Sequence, residues 1–456
     1  MVTSASKRNS RTRTSARRSK PSSKPSLNKS PSRKSLDPKH KKELIRFAAG
    51  RVKHKQWALI ARQTVAIALG DGKYVENLRC RVPAFFTSPV ADTPETSQLQ
   101  PGMSTWHVVH DISRQVRLSN EGTVSYSHTS DLLCHWAAKP ATSSSMPFTK
   151  TAVIFSKRSP LALARRLYLE SAPSQKLSPH PLHNSTVGVL SSASPRRAGG
   201  AFLNGSSEPD ALLARSTSLV ASLGTPQARS FYTELQKYTK KHGAGFYPHC
   251  MVYSPGVVGF RRDDEDRYDV RDDDFDPELD AIPADPTTAE LENPPAVNSQ
   301  NRRAMGEYVA PYLMNIISVA AVNASSVHSA PSPSPPPSTE LDSYSLTGPE
   351  NVEAAIRRTM KERVGRALRL FELHGNRTLV VGAFGCNQGL AVETIARIYA
   401  ELLFCSDGNE GDGRFRGVFD KVVFSLSSKL RTPFQEAFEM RIYEDELTSA
   451  MDDVGL

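Results

Sequence analysis

Between Leu190 and Ser218 the chain reads LSSASPRRAGGAFLNGSSEPDALLARSTS, and this stretch holds the residue types best suited to chemistry. Val187 to Leu190 is an apolar run short enough to be a buried strand. Gly199, Gly200, Ala201 and Gly205 follow it. Ser206, Ser207 and Asp210 are residue types that cap a helix, and Ala211 to Ala214 begins one. A strand, a glycine loop and a helix N-terminus in succession can cradle a phosphate. Glycine permits close backbone approach, and the first helical N–H groups point at the anion. The same pattern also serves as a plain tight connection between strand and helix. A second loop, Gly382-Ala383-Phe384-Gly385-Cys386, follows the apolar run Leu379 to Val381.

The elements that must position these loops alternate. Glu43 to Ala68 has apolar residues at helical spacing and ends at Gly70-Asp71-Gly72. Strands are expected at 106–110, 151–155, 187–190, 250–260, 312–322, 379–381 and 421–426. Helices are expected at 161–171, 210–223, 225–239, 350–375, 393–404 and 433–443. Pro160 and Pro226 sit where a helix tolerates proline best. Strands alternating with helices give an α/β class, a mixed sheet with helices on both faces. Ligands in such sheets bind at the carboxyl ends of the strands. Both glycine loops follow strands, so both can reach one cleft.

The charge of +11 belongs to a tail rather than to the fold. Residues 1–42 hold fourteen Lys or Arg and one acid, leaving residues 43–456 near −2. Almost nothing in that tail is apolar, so it is expected to be disordered. Its basic clusters fit nuclear import or nucleic-acid contact, and a Ser-Pro site at Ser30 offers a phosphorylation switch. A mitochondrial presequence is the alternative, but it requires an apolar face that the tail lacks. Five scattered cysteines without C-x-x-C spacing fit a reducing compartment. No apolar run approaches the ~18 residues of a membrane helix. Eleven acids between Arg261 and Asp280 lack the register of a calcium loop and read as a solvated acidic segment. His107 and His110 have no carboxylate or cysteine placed to complete a metal site. Segments 83–105, 172–186, 261–300 and 325–345 read as loops or linkers within a domain spanning 43–450.

AGGAFLNG, LLARSTSLVASL, MVYSPGVV, ISVAAVN and VGAFGC occur in that order, and together they resemble the microbial-type poly(ADP-ribose) glycohydrolase family. The likeness runs from about Lys42 to Ala450. It implies a macrodomain-like catalytic fold that binds ADP-ribose or poly(ADP-ribose) and needs no metal cofactor. By position, Gly199, Gly200 and Ala201 would lie by the distal ribose and diphosphate, with Asn204 in the same loop. Gly382, Ala383, Phe384, Gly385 and Cys386 would close on the phosphates through backbone N–H groups. Asn323 would end the strand bordering the cleft, and Phe260 or Phe384 would stack near the adenine or ribose. The family's loop is a PGGG type followed by a Gln-Glu-Glu triplet, and here that triplet reads Pro209-Asp210-Ala211. The family's catalytic acid is thus Ala211, and an asparagine usual after the strand is Ser191. Three readings follow. The chain is an ADP-ribose binder with hydrolysis weak or lost, an active glycohydrolase using Glu208 or Asp210, or a nuclear scaffold holding nucleic acid through its tail.

Overall fold

The computed structural model describes residues 38–81, 103–138, 150–171, 185–243, 245–263, 307–330, 349–406 and 413–454. The basic residues 1–37, most of segments 83–105 and 172–186, the acidic run from 264 onward and residues 331–345 lie outside them. Two compact units divide the chain, residues 1–49 and 50–456. Of the first, the described part is the start of helix α1 (Pro38–Ala68).

After α1 come an antiparallel pair, β1 (Lys73–Arg81) and β2 (Met103–Asp111), then α2 (Ser113–Gly122), β3 (Val124–Tyr126) and α3 (Asp131–Cys134). Next are β4 (Ala152–Ser156), α4 (Pro160–Ser171), β5 (Val187–Ser192), α5 (Pro209–Ser216), α6 (Leu219–Leu223) and α7 (Pro226–His242). The chain continues with β6 (Met251–Arg261), β7 (Tyr308–Val319), α8 (Ala324–Ser329), α9 (Pro349–Leu373) and β8 (Thr378–Gly382). It ends in α10 (Val392–Leu403), β9 (Lys421–Ser425) and α11 (Ser428–Val454).

Seven strands form one mixed sheet in the order β3-β6-β7-β5-β8-β9-β4. Its centre is parallel: β5 pairs parallel with β7 on one side and with β8 on the other. An interior strand covered on both faces must be apolar throughout, and Val187, Gly188 and Val189 are all buried. Side chains alternate between faces. Val189, Ile316 and Val380 join a core completed by α4 and α7, and Ile317, Val381 and Val422 join one completed by α9, α10 and α11. Helices therefore cover both faces of the sheet.

Four expectations are corrected. The helix expected from Asp210 to Leu223 is two helices, because the intervening pair is drawn to β6: Thr217 bridges Gly259, and the Ser218 amide donates to the Val258 carbonyl at 2.9 Å. The strand expected to run to Val322 stops at Val319, and Ala324–Ser329 is a helix rather than linker. Phe260 has no solvent exposure and lies in an aromatic cluster with Tyr74 and Tyr308, so it is core. The β1 strand and α2 were not foreseen, since each takes its support from distant β7 and β6. His107 and His110 sit in β2 facing Asn77 and Glu76 of β1. Among the described residues no helix is long and apolar enough to cross a membrane.

Candidate functional site

Because β5 lies between β7 and β8 and runs parallel to both, the carboxyl ends of all three share one edge of the sheet. The connections leaving them, residues 193–208, 320–323 and 383–391, therefore meet there. The ladder runs one residue past β5, with the Ala193 amide donating to the Val319 carbonyl at 2.9 Å. On the β7–β8 side, Ser325 Oγ donates to the Gln388 carbonyl at 3.3 Å.

The first loop is built around Asp210. Its Oδ2 accepts the Ser194 amide at 2.9 Å. Gly199 and Gly200 are both left-handed, with φ of +65° and +59°. A Cβ on Gly200 would stand 2.6 Å from Asp210 Oδ2, and one on Gly199 would stand 2.6 Å from the Ala214 methyl. Both positions thus require glycine twice over, for backbone angle and for space. Turn hydrogen bonds engage the amides of Gly200, Phe202, Asn204, Gly205 and Ser206. Among the described backbone bonds, the amides of Gly199 and Ala201 take no part in those turns. A 3-10 turn, Phe202–Asn204, closes on left-handed Gly205.

Helix α1 supports this turn from outside. His54 Nδ1 meets the Gly205 carbonyl, and Thr64 Oγ1 donates to the Arg215 carbonyl at 2.6 Å. Arg215 donates to the Ser206 carbonyl at 2.8 Å while its guanidinium lies over Trp57 at 4.3 Å. The helix read from the sequence as core packing is thus also the buttress of the glycine loop.

Among the candidate acids, Glu208 is exposed and occupies the N-cap of α5, where its side chain makes no capping bond. Asp210, one turn-position inside, is 4% exposed. Burial pushes its carboxyl up to about 6, with the nearby Glu208 charge adding and the amides of Ser194, Ala211 and Asp210 opposing. Burial raises the pKa of the nearby Tyr232 phenol, and the Asp210 charge adds to that shift. Ala211 is fully buried against Ala61, Phe202 and Ala214 and carries no acid. The Ser191 and Ser318 hydroxyls, on register-paired residues of β5 and β7, are buried with no hydrogen-bond partner among the described residues.

The second loop folds as one short turn, Cys386–Gln388, between left-handed Gly385 and Gly389. It donates inwardly: the Phe384 amide bonds the Gly382 carbonyl at 2.8 Å, and the Cys386 amide bonds the Ala383 carbonyl at 3.1 Å. At least two of the five amides expected to face a ligand are therefore already engaged. Phe384 is 4% exposed and packed in the core, which removes it as a stacking platform. Burial pushes the Cys386 thiol up to about 12, so it is a thiol rather than a nucleophilic thiolate at neutral pH. Asn323 does not end a strand. It caps α8, its Oδ1 accepting the Ser326 amide at 3.0 Å while its own amide donates to the Gly245 carbonyl at 2.8 Å. Asn204 is exposed on the 3-10 turn.

Sequence reasoning missed Arg363 of α9. It is wholly buried, donating to the carbonyls of Ala320 at 2.9 Å, Phe246 at 2.8 Å and Tyr247 at 2.7 Å. Burial pushes its guanidinium down to about 10. It ties the exit of β7 to Tyr247, which among the described residues is the non-glycine with positive φ, +55°. An arginine in the middle of an otherwise apolar helix face was the available signal.

The stretch 99–262 matches the family described as microbial-type PARG, catalytic domain, where PARG is poly(ADP-ribose) glycohydrolase. The poly(ADP-ribose) glycohydrolase of Thermomonospora curvata has a similar structure, 23% identical, with a TM-score of 0.52 over 84% of this chain and 98% of that one. The same protein bound to the inhibitor ADP-HPD superposes over the same shares with a TM-score of 0.51 and 23% identity. These structures have this fold. Among curated proteins nothing matches the chain. The chain is related to the microbial-type poly(ADP-ribose) glycohydrolases.

Proposed function

We propose that this relative of the microbial-type poly(ADP-ribose) glycohydrolases binds ADP-ribose, free or as the end of its polymer, and has little or no hydrolytic activity. The observation that carries the reading is the state of the α5 N-terminus. The glycine loop is fully formed there, while Ala211 has no acid and the Asp210 carboxylate is held inward by the Ser194 amide. Two glycine loops on parallel strand ends offer oriented amides to a diphosphate, and such amides bind anions without a lysine. The family match over the first loop and its helix points the same way. So does the inhibitor-bound relative with this fold.

Cleaving an O-glycosidic bond between riboses needs a carboxylic acid to protonate the leaving oxygen as oxocarbenium character develops. General acids contribute typically ~10²–10⁴-fold, so a site without one binds far better than it turns over. Asp210 has the raised pKa of such an acid, but its oxygen is committed to the loop backbone. Glu208 is exposed to solvent at the start of α5, outside the buried turn that holds Asp210.

The test is calorimetric titration of ADP-ribose into the full chain, followed by release of ADP-ribose from the polymer. Micromolar binding with negligible release is expected. Release at the rate of an active glycohydrolase, lost in Glu208→Gln or Asp210→Asn, would replace this reading with that of an enzyme using that residue. Absence of ADP-ribose binding by folded protein would reject the cleft altogether.

A further inference from the structure

The first glycine loop is continuous with a strip of positive charge on the outside of the molecule. Arg196 and Arg197, immediately before the loop, are both exposed. Helix α7 lies against them, with Gln236 Nε2 donating to the Arg196 carbonyl at 3.5 Å. Residues seven before and four after Gln236 share its helix face. These are Arg229 and Lys240, both exposed, and Lys237 is exposed beside them. The acid of α7, Glu234, is on another face and is engaged by His128 through both its ring and its amide. Among the described residues none of these five cationic groups is in an ion pair. The Arg196 charge also reaches the buried Tyr247, whose carbonyl Arg363 holds.

Unpaired cations in a row, with no acid among them, are a surface for a chain of phosphates. Their juncture with the cleft loop decides which chain. We propose that Arg196, Arg197, Arg229, Lys237 and Lys240 form a separate binding surface for the pyrophosphates of a poly(ADP-ribose) chain whose terminal unit occupies the cleft. The proposal rests on the ADP-ribose reading of the cleft and adds to it: the protein holds the polymer more tightly than the monomer, and the difference is carried by α7. All five groups are cations rather than aromatic platforms, so they read backbone charge rather than bases.

The experiment uses the full chain and two triple variants confined to α7, leaving the loop untouched. One carries Arg229→Gln, Lys237→Gln and Lys240→Gln; the other carries Glu at the same three positions. Binding of ADP-ribose and of a fluorescent oligo(ADP-ribose) is measured across a salt series, with single-stranded oligoadenylate in parallel. The parent is expected to bind the oligomer at least tenfold more tightly than ADP-ribose. In the Gln variant ADP-ribose affinity stays within twofold, while the oligomer loses most of its advantage. The log–log salt slope of oligomer binding should become shallower by about 2, three lost contacts at ~0.7 each. The Glu variant should lose more. Unchanged oligomer binding in both variants, with ADP-ribose binding intact, overturns the strip and leaves the cleft reading standing. Equal losses for oligoadenylate and oligo(ADP-ribose) also overturn it, since the strip would then be a nucleic-acid surface indifferent to the cleft. A parent that binds no ADP-ribose removes the cleft reading and the proposal together.

Discussion

Replacing Gly200 with alanine tests the geometry of the first loop most directly. Two costs can be worked out. The residue holds φ at +59°, and a side chain in the left-handed region costs roughly 1–2 kcal/mol. The new methyl would also stand 2.6 Å from Oδ2, 2.8 Å from Oδ1 and 3.0 Å from Cγ of Asp210. The carboxylate must then move, and it loses the 2.9 Å bond from the Ser194 amide. A hydrogen bond to a charged group is worth roughly 1.5–3 kcal/mol. In an Asp210→Ala background only the backbone cost remains, because the clash and the lost bond no longer exist. The two substitutions should therefore couple by about 1.5–3 kcal/mol, a factor of roughly ten to a hundred in ADP-ribose affinity. The assay is calorimetric titration of the parent, both single variants and the double variant, above pH 6 where the Asp210 carboxylate is ionised. Additivity within ~0.5 kcal/mol would refute the reasoning, for it would mean that Asp210 does not shape the loop the ligand reads.

Two further predictions concern buried charges. Asp210 is held at about 6 in the folded protein, above its unfolded value, so between about pH 4 and 6 the folded state binds more protons than the unfolded one. This group's contribution to stability falls as pH rises through that window and is constant above it. Below about 6 the protonated carboxyl is a weaker acceptor for Ser194, so ADP-ribose affinity should drop on acidification. Titrations from pH 5 to 8 should show that drop in the parent and a flat profile in Asp210→Asn. Arg363→Met would leave the carbonyls of Ala320, Phe246 and Tyr247 buried without donors, at ~1–3 kcal/mol each. Thermal unfolding should fall well below the parent's, and a parent-like midpoint would show that the buried guanidinium is dispensable.

The sequence determined the order and type of the elements around the site. The short apolar runs at Val187 and Leu379 read as buried strands and the glycines near their ends as loops, so the two loops were legible as connections leaving strand ends. The order of motifs carried the likeness to the glycohydrolase family, and Ala211 in place of an acid was visible without coordinates. What tertiary structure alone decided was where each polar group points. Asp210 read as a helix cap and, with Glu208, as a candidate catalytic acid. Its packing under Gly200 makes it the brace of the loop, because a buried carboxylate must find donors and the Ser194 amide is within reach. Asn323, Phe384 and Phe260 read as cleft residues, yet one caps a helix and two lie in the core. Arg363 stood out locally only as a charge on an apolar helix face; its partners were not legible, since its three carbonyls lie more than forty residues away along the chain. Periodicity and turn chemistry are local properties and are written in consecutive residues. Hydrogen-bond partnership at the carboxyl edge of a parallel sheet joins segments distant in sequence, and only the folded chain specifies it.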